Sequence, residues 1–236
     1  MIIRKYQTSD EKGWVYCKAL SYLFSPFFDD RETEKPELMT DVYDYRVEWV
    51  AEVDGQIVGL IDIDIYTEEC SQSYIYAPSK RTAYFTNLAV HPDFQGQGIA
   101  QALFEKAEQE LREQGVEKLA IFTREGDVAN HLYRKWGGQL VCSDYLVIGT
   151  PKDTPYVRFG VDLPNAKLAF TDETGQPAPY YLREGVYVVS EEAGLELFDI
   201  EDVYQELTYV VDLTEKKLKF STFFIFLLLW SGLHSL

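Results

Sequence analysis

Apolar residues recur along this chain with two distinct periods, and the switches between them mark its elements. Residues 2 to 7 open with a short apolar run that predicts a strand. Thr8-Ser9-Asp10 then offers N-cap chemistry for a helix through Trp14, Val15, Ala19, Leu20 and Leu23, closed by Pro26. Residues 27 to 45 are charged and aromatic without a clean period, which predicts a helix fragment and loop at the mouth of a site. Residues 49 to 53 and 56 to 66 flank Asp54-Gly55, a pair that supplies the positive dihedrals of a tight turn, so this stretch predicts a hairpin. In its second strand Ile61, Ile63 and Ile65 share one face, and Asp62 and Asp64 share the other.

The pattern continues with a polar loop over residues 67 to 80 and a strand over 82 to 90. After Gly98, residues Ile99, Leu103, Ala107 and Leu111 fall on one helical face with Ala100 and Phe104 beside them, and Gly115 ends the helix. Residues 119 to 122 predict a buried strand, 127 to 136 a second helix ended by Gly137-Gly138, and 139 to 148 another strand. Beyond Thr150-Pro151 the composition favours strands at 156 to 163, 167 to 171 and 180 to 189, parted by a turn-forming run at 172 to 179. The predicted architecture is α/β with a mixed sheet over residues 1 to 150. A small strand-rich extension, read as a packing or dimer element, covers 151 to 213, and a basic then apolar tail covers 214 to 236.

Composition narrows the function classes. The 236 residues are 46% hydrophobic and 15% aromatic, which excludes a disordered chain and suits one main domain with an appendage. A net charge of −17 argues against a nucleic-acid surface and is compatible with a cationic substrate, although solubility alone accounts for it. Cys17, Cys70 and Cys142 are widely spaced, and His91, His131 and His234 are few and scattered, so neither a disulfide framework nor a metal site is expected. The N-terminus lacks the apolar stretch of a signal peptide, which predicts a cytoplasmic protein. Residues 220 to 233 form an apolar run behind Lys216, Lys217 and Lys219. As a helix this run spans about 21 Å, short of a bilayer core of roughly 30 Å. Three readings stay open for it: lying on a membrane surface, docking on the protein, or no selected role.

The chemistry is concentrated at residues 88 to 104, where a strand enters a two-glycine turn and a helix opens directly from it. Gly96 and Gly98 allow unusual dihedrals and close approach, and the first helical turn leaves N–H groups without intrahelical partners. Such a junction suits a phosphate. No Lys-Ser or Lys-Thr follows the second glycine, and a third glycine is missing from Gly96 to Gln101, so neither a nucleoside-triphosphate loop nor a dinucleotide turn is present.

Gln95, Gly98 and Ala100, behind the strand end Val90-His91-Pro92, instead resemble the Gln/Arg-x-x-Gly-x-Gly/Ala acyl-CoA signature of the GNAT (GCN5-related N-acetyltransferase) superfamily. The run from Ala129 to Gly138 is similar to that family's Ala-x-x-Leu-Tyr-x-x-x-Gly-Phe helix, and residues 10 to 30 resemble bacterial members of undefined substrate. The resemblance implies the GNAT fold, acetyl-CoA as co-substrate and no metal. It implies pairing of CoA with Leu88, Ala89 and Val90, and a pyrophosphate on the amides of Gln95, Gly96, Gln97, Gly98, Ile99 and Ala100. It further implies that the Leu88 N–H polarises the thioester carbonyl and that Tyr133 protonates the leaving thiolate.

The match has departures. The family's frequent asparagine falls on Gly126 and its phenylalanine on Gly138, while Asn130 lies one turn from the expected position. No motif marks a base; Asp62 and Asp64 are candidates if their strand face lines the cleft, and an ordinary solvent face is the competing reading. His91 is read as shaping the turn. The expected function is transfer of acetyl to a primary amine of a small molecule or peptide, by direct attack in a ternary complex. The alternative is a non-catalytic acyl-CoA-binding or protein-interaction module.

Overall fold

The computed structural model describes residues 1–214 apart from 24, 28–31, 155, 156, 163, 164, 166, 180, 181, 183 and 184. The apolar run at residues 220 to 233 and Phe28, Asp29 and Asp30 lie outside the described residues. In chain order the elements are β1 (Ile2–Lys5), α1 (Glu11–Tyr22), β2 (Tyr43–Val53), β3 (Gln56–Tyr66), α2 (Glu68–Ser73), β4 (Thr82–Val90) and α3 (Ile99–Glu113). They continue with β5 (Lys118–Arg124), α4 (Asp127–Lys135), β6 (Gln139–Pro151), β7 (Arg158–Asp162), β8 (Lys167–Thr171), β9 (Gly185–Val189) and β10 (Phe198–Asp212).

Eight strands form one mixed sheet in the order β1-β2-β3-β4-β5-β10-β6-β9, while β7 and β8 make a separate hairpin. All neighbours in the large sheet are antiparallel except β4 and β5, which are parallel. Helices α3 and α4 cover one face, and their apolar stripe meets Val47, Val58, Ile61, Ile63, Ile65, Leu119 and Ile121 in the main core. Full burial of one such Leu or Ile side chain contributes about 1.5–3 kcal/mol. Helix α1 packs on the opposite face, where Trp14 and Cys17 meet Val50, Ile57, Leu60 and Ala89.

Several expectations are met. The hairpin turns at Asp54 and Gly55 with φ of 49° and 82°. Ile61, Ile63 and Ile65 face the main core, and Asp62 and Asp64 the other side. Four differences have physical reasons. The loop expected at 67 to 80 contains α2, whose start is fixed by Thr67 accepting from the Cys70 N–H at 3.3 Å and by Glu68 and Glu69 in the positive first turn. No helix occurs among the described residues between 27 and 42, and β2 begins already at Tyr43 because the strand continues through Tyr45 and Val47 opposite β3. Pro26 follows the helix end, which comes at Tyr22.

The fourth difference concerns the chain after residue 150. β10 enters the large sheet between β5 and β6, pairing with β6 from Phe198 to Val210 and with β5 from Glu206 to Asp212. Leu207, Tyr209 and Val211 join the main core. Residues 152 to 197 are thus an excursion between two paired strands, since Pro151 and Phe198 stand opposite each other.

Candidate active site

The site is built where β4 and β5 part. Their parallel register runs through Thr82↔Lys118, Ala83↔Leu119 and Tyr84↔Ala120 and goes no further. On the other side of β4, Asp62 and Ile63 oppose Asn87 and Phe85, so Thr86 is an extra residue that bulges the strand. Beyond the bulge the backbone orientation is fixed by the His91 N–H, which donates to the Val58 carbonyl of β3 at 2.9 Å. Successive residues of a strand turn their polar groups to alternate edges, so Ala89 also faces β3 while Leu88 and Val90 face the gap. Two contacts agree with that parity: Tyr22 Oη donates to the Leu88 carbonyl at 3.4 Å, and Gln95 Nε2 to the Val90 carbonyl at 3.1 Å. The gap therefore presents strand N–H and C=O groups inside a sheet, which suits an extended amide-bearing ligand.

Directly after β4, His91 Nδ1 accepts from the Asp93 N–H at 3.3 Å and its ring stands edge-on to Phe94, which shapes the corner as expected. Residues 95 to 98 are exposed. Gly96 and Gly98 hold φ of 73° and 79°, a left-handed backbone that costs other residues roughly 1–2 kcal/mol. The space a Cβ would take at either glycine is open. Gly98 caps α3, so the amides of Ile99, Ala100 and Gln101 emerge at the positive end of a 15-residue helix. Exposed amides, an open cradle and a helix terminus together fit a diphosphate.

Tyr133 of α4 lies under the gap. Its ring meets Phe85 of β4 edge-on at 5.8 Å, just past the last paired row of β4 and β5. Burial pushes its phenol up to about 12, with Thr123 of β5 opposing in part. Trp136 fixes the helix by stacking on Phe104 of α3 at 3.8 Å and donating from Nε1 to Gln101 at 2.9 Å. Gly138 donates to the Tyr133 carbonyl at 2.9 Å, and a Cβ there would stand 2.8 Å from that oxygen. A larger residue at 138 is thus incompatible with this helix end. Asn130 Nδ2 donates to the carbonyls of Arg124 and Gly126, tying α4 to the end of β5, and its Oδ1 is buried without a partner.

The two strand carboxylates are held in buried pairs. Asp62 is 1% exposed; its Oδ2 accepts from Trp14 Nε1 and Asn87 Nδ2, and its Oδ1 pairs with Lys35 Nζ at 2.7 Å. Asp64 receives both arms of Arg46. Their shared face carries α1 and the chain after it, which supply Trp14 and Lys35. The face is neither open cleft nor ordinary solvent surface.

Charged residues not singled out from sequence border the gap on the α1 side. Leu88 and Arg124 are each four residues past the last paired row, on opposite strands. Arg124 donates to the Pro26 carbonyl at 2.6 Å, so Tyr22 meets the β4 side of the gap and Pro26 the β5 side. Glu206 of β10 stands beside Arg124 and pairs with its Nε at 3.1 Å, and Asp144 of β6 stands beside Glu206 on the far side. The alternation of Leu207, Tyr209 and Val211 was the available signal for β10. Nothing local joined residues 124, 144 and 206.

The family described as Acetyltransferase (GNAT) family matches residues 17–138. An acetyltransferase of Yersinia enterocolitica is 34% identical over 142 residues, covering 57% of this chain and 85% of the relative. Among solved structures, the ribosomal-protein-S18-alanine N-acetyltransferase of Escherichia coli overlaps 93% of this chain and 98% of its own, at 13% identity and a TM-score of 0.48. A GNAT family acetyltransferase of Elizabethkingia anophelis with acetyl-CoA bound overlaps 89% and 97%, at 13% identity and a TM-score of 0.43.

Proposed function

The chain belongs to the GNAT acetyltransferase family, and from that premise we propose that it moves acetyl from acetyl-CoA to a primary amine by direct attack in a ternary complex. The observation that carries this reading is the lapse of β4–β5 pairing after Tyr84↔Ala120, with Leu88 and Val90 turned into the gap and the glycine cradle immediately downstream. In this reading Leu88, Ala89 and Val90 pair with the extended arm of acetyl-CoA, and the amides from Gln95 to Ala100 hold its diphosphate. The Leu88 N–H donates to the thioester oxygen, where negative charge grows as nitrogen attacks, and so stabilises the transition state more than the ground state.

Tyr133 is the acid. Its buried phenol stays protonated at neutral pH, and its ring meets Phe85 of β4 beside the gap. Asp62 and Asp64 are left as positioning residues, because α1 and the chain after it cover their face, where Trp14 and Lys35 hold Asp62 and Arg46 holds Asp64. The acceptor is a small-molecule or peptide amine, and the net charge of −17 is compatible with a cationic one.

Thiol release from acetyl-CoA is to be followed across polyamines, aminoglycosides and peptide amines. Turnover with one class is the expected result. Binding of acetyl-CoA without turnover on any amine would replace the reading with a non-catalytic acyl-CoA-binding module.

A further inference from the structure

We infer that Glu206, coupled to Asp144 across the β10–β6 ladder, is the base that accepts the proton of the incoming ammonium; this rests on the acetyl-transfer reading above. Three observations carry it. Glu206 is 6% exposed and sits one strand beyond Arg124, on the side of the sheet where Tyr22 meets Leu88 and Pro26 meets Arg124. Asp144 Oδ1 is buried without a conventional donor, and its cross-strand neighbour is the Glu206 carboxylate. A proton taken up between the two acids gives Asp144 Oδ1 the donor it lacks, while Glu206 also accepts from Arg124 Nε. The third observation is the surroundings. Burial raises the phenols of Tyr84 of β4 and of Tyr76, in the segment before β4, and the charge of Glu206 adds to the rise in both.

The charged and titratable groups around Glu206 are Arg124 of β5, Asp144 and Cys142 of β6, Tyr84 and Tyr76, and Tyr204 on its own strand, whose ring covers Arg124. Burial raises the proton affinity of Glu206, Arg124 lowers it, and Asp144 raises it again. A carboxylate so placed takes up a proton more readily than an exposed one, which is what an ammonium must meet to become a nucleophile.

The step balances. One N–H bond of the ammonium breaks, its electron pair stays on nitrogen, and the proton joins the Glu206–Asp144 pair and then solvent. The freed pair forms the C–N bond while the C–S bond breaks. The thiolate takes the Tyr133 proton, and the phenolate takes the second proton of nitrogen.

The test compares Glu206→Gln and Asp144→Asn with the unmodified protein, using its best strongly basic amine and a weakly basic aryl amine already neutral at pH 7. For the strongly basic amine, kcat/KM is expected to fall about 100-fold in Glu206→Gln, with the acidic limb of its pH profile displaced or lost. The aryl amine should lose far less, and acetyl-CoA affinity should be unchanged. Should Glu206→Gln fail to fold, Asp144→Asn decides, because its half-buried side chain is the less costly to alter and the same limb must move. Unmoved acidic limbs, or equal losses for both amines, overturn the assignment of the base. Absence of turnover by the unmodified protein on every amine overturns the acetyl-transfer reading itself.

Discussion

Tyr133 and Gly98 owe their place in the proposed site to local chain geometry, and both were visible from sequence for that reason. Tyr133→Phe should lower kcat roughly 100-fold while the acetyl-CoA dissociation constant stays within twofold, as steady-state kinetics and calorimetry would register. The sign of the pH effect follows from burial. A phenol raised to about 12 keeps its proton well beyond neutrality, so kcat should show no loss from ionisation of this acid up to about pH 10. A basic limb near pH 9 that disappears in Tyr133→Phe would contradict that. Asp62 and Asp64 show the limit of local reading. Period two placed them correctly opposite the isoleucines, but whether that face was open depended on Trp14 and Lys35, which reach it from other elements. Arg124, Asp144 and Glu206 were beyond reach for a related cause: they meet only through the register of three strands.

Elements carry the next level. Helix α4 holds Tyr133 because Trp136 inserts between it and α3, so Trp136→Ala should cost about 3–5 kcal/mol in urea unfolding. Turnover should fall along with stability, since the tyrosine loses its support. On the opposite face, Lys35→Ala leaves Asp62 as an unpaired buried charge, and a loss of about 3–5 kcal/mol is expected. A loss under 1 kcal/mol would mean that water reaches Asp62. The long periodic elements were legible: the hairpin, β4, α3 and β5 stand close to where the pattern put them. Helix α2 was not, because six residues are too few for a period and its N-cap threonine resembles loop chemistry. β10 was missed because Asp199, Glu201 and Asp202 interrupt its first half, and acidic residues are unfavourable in strands.

At the scale of the whole molecule, β10 decides how much chain the fold needs. A chain ended at Pro151 leaves β5 and β6 without the strand between them, so it should lose cooperative unfolding, as circular dichroism during denaturation would show. The net charge acts over the same scale. If a cationic acceptor is drawn in by the field of the whole protein, KM for it should rise with ionic strength while KM for acetyl-CoA should not rise in parallel. All of these statements presuppose a cradle that grips acetyl-CoA. Calorimetric titration of the folded protein with acetyl-CoA tests this most directly: one equivalent should bind with measurable heat, and Gly98→Glu, which fills the open space and brings in a negative charge, should abolish it. No heat and no rise in Tm for the well-folded unmodified protein, or equal binding by Gly98→Glu, would contradict the account.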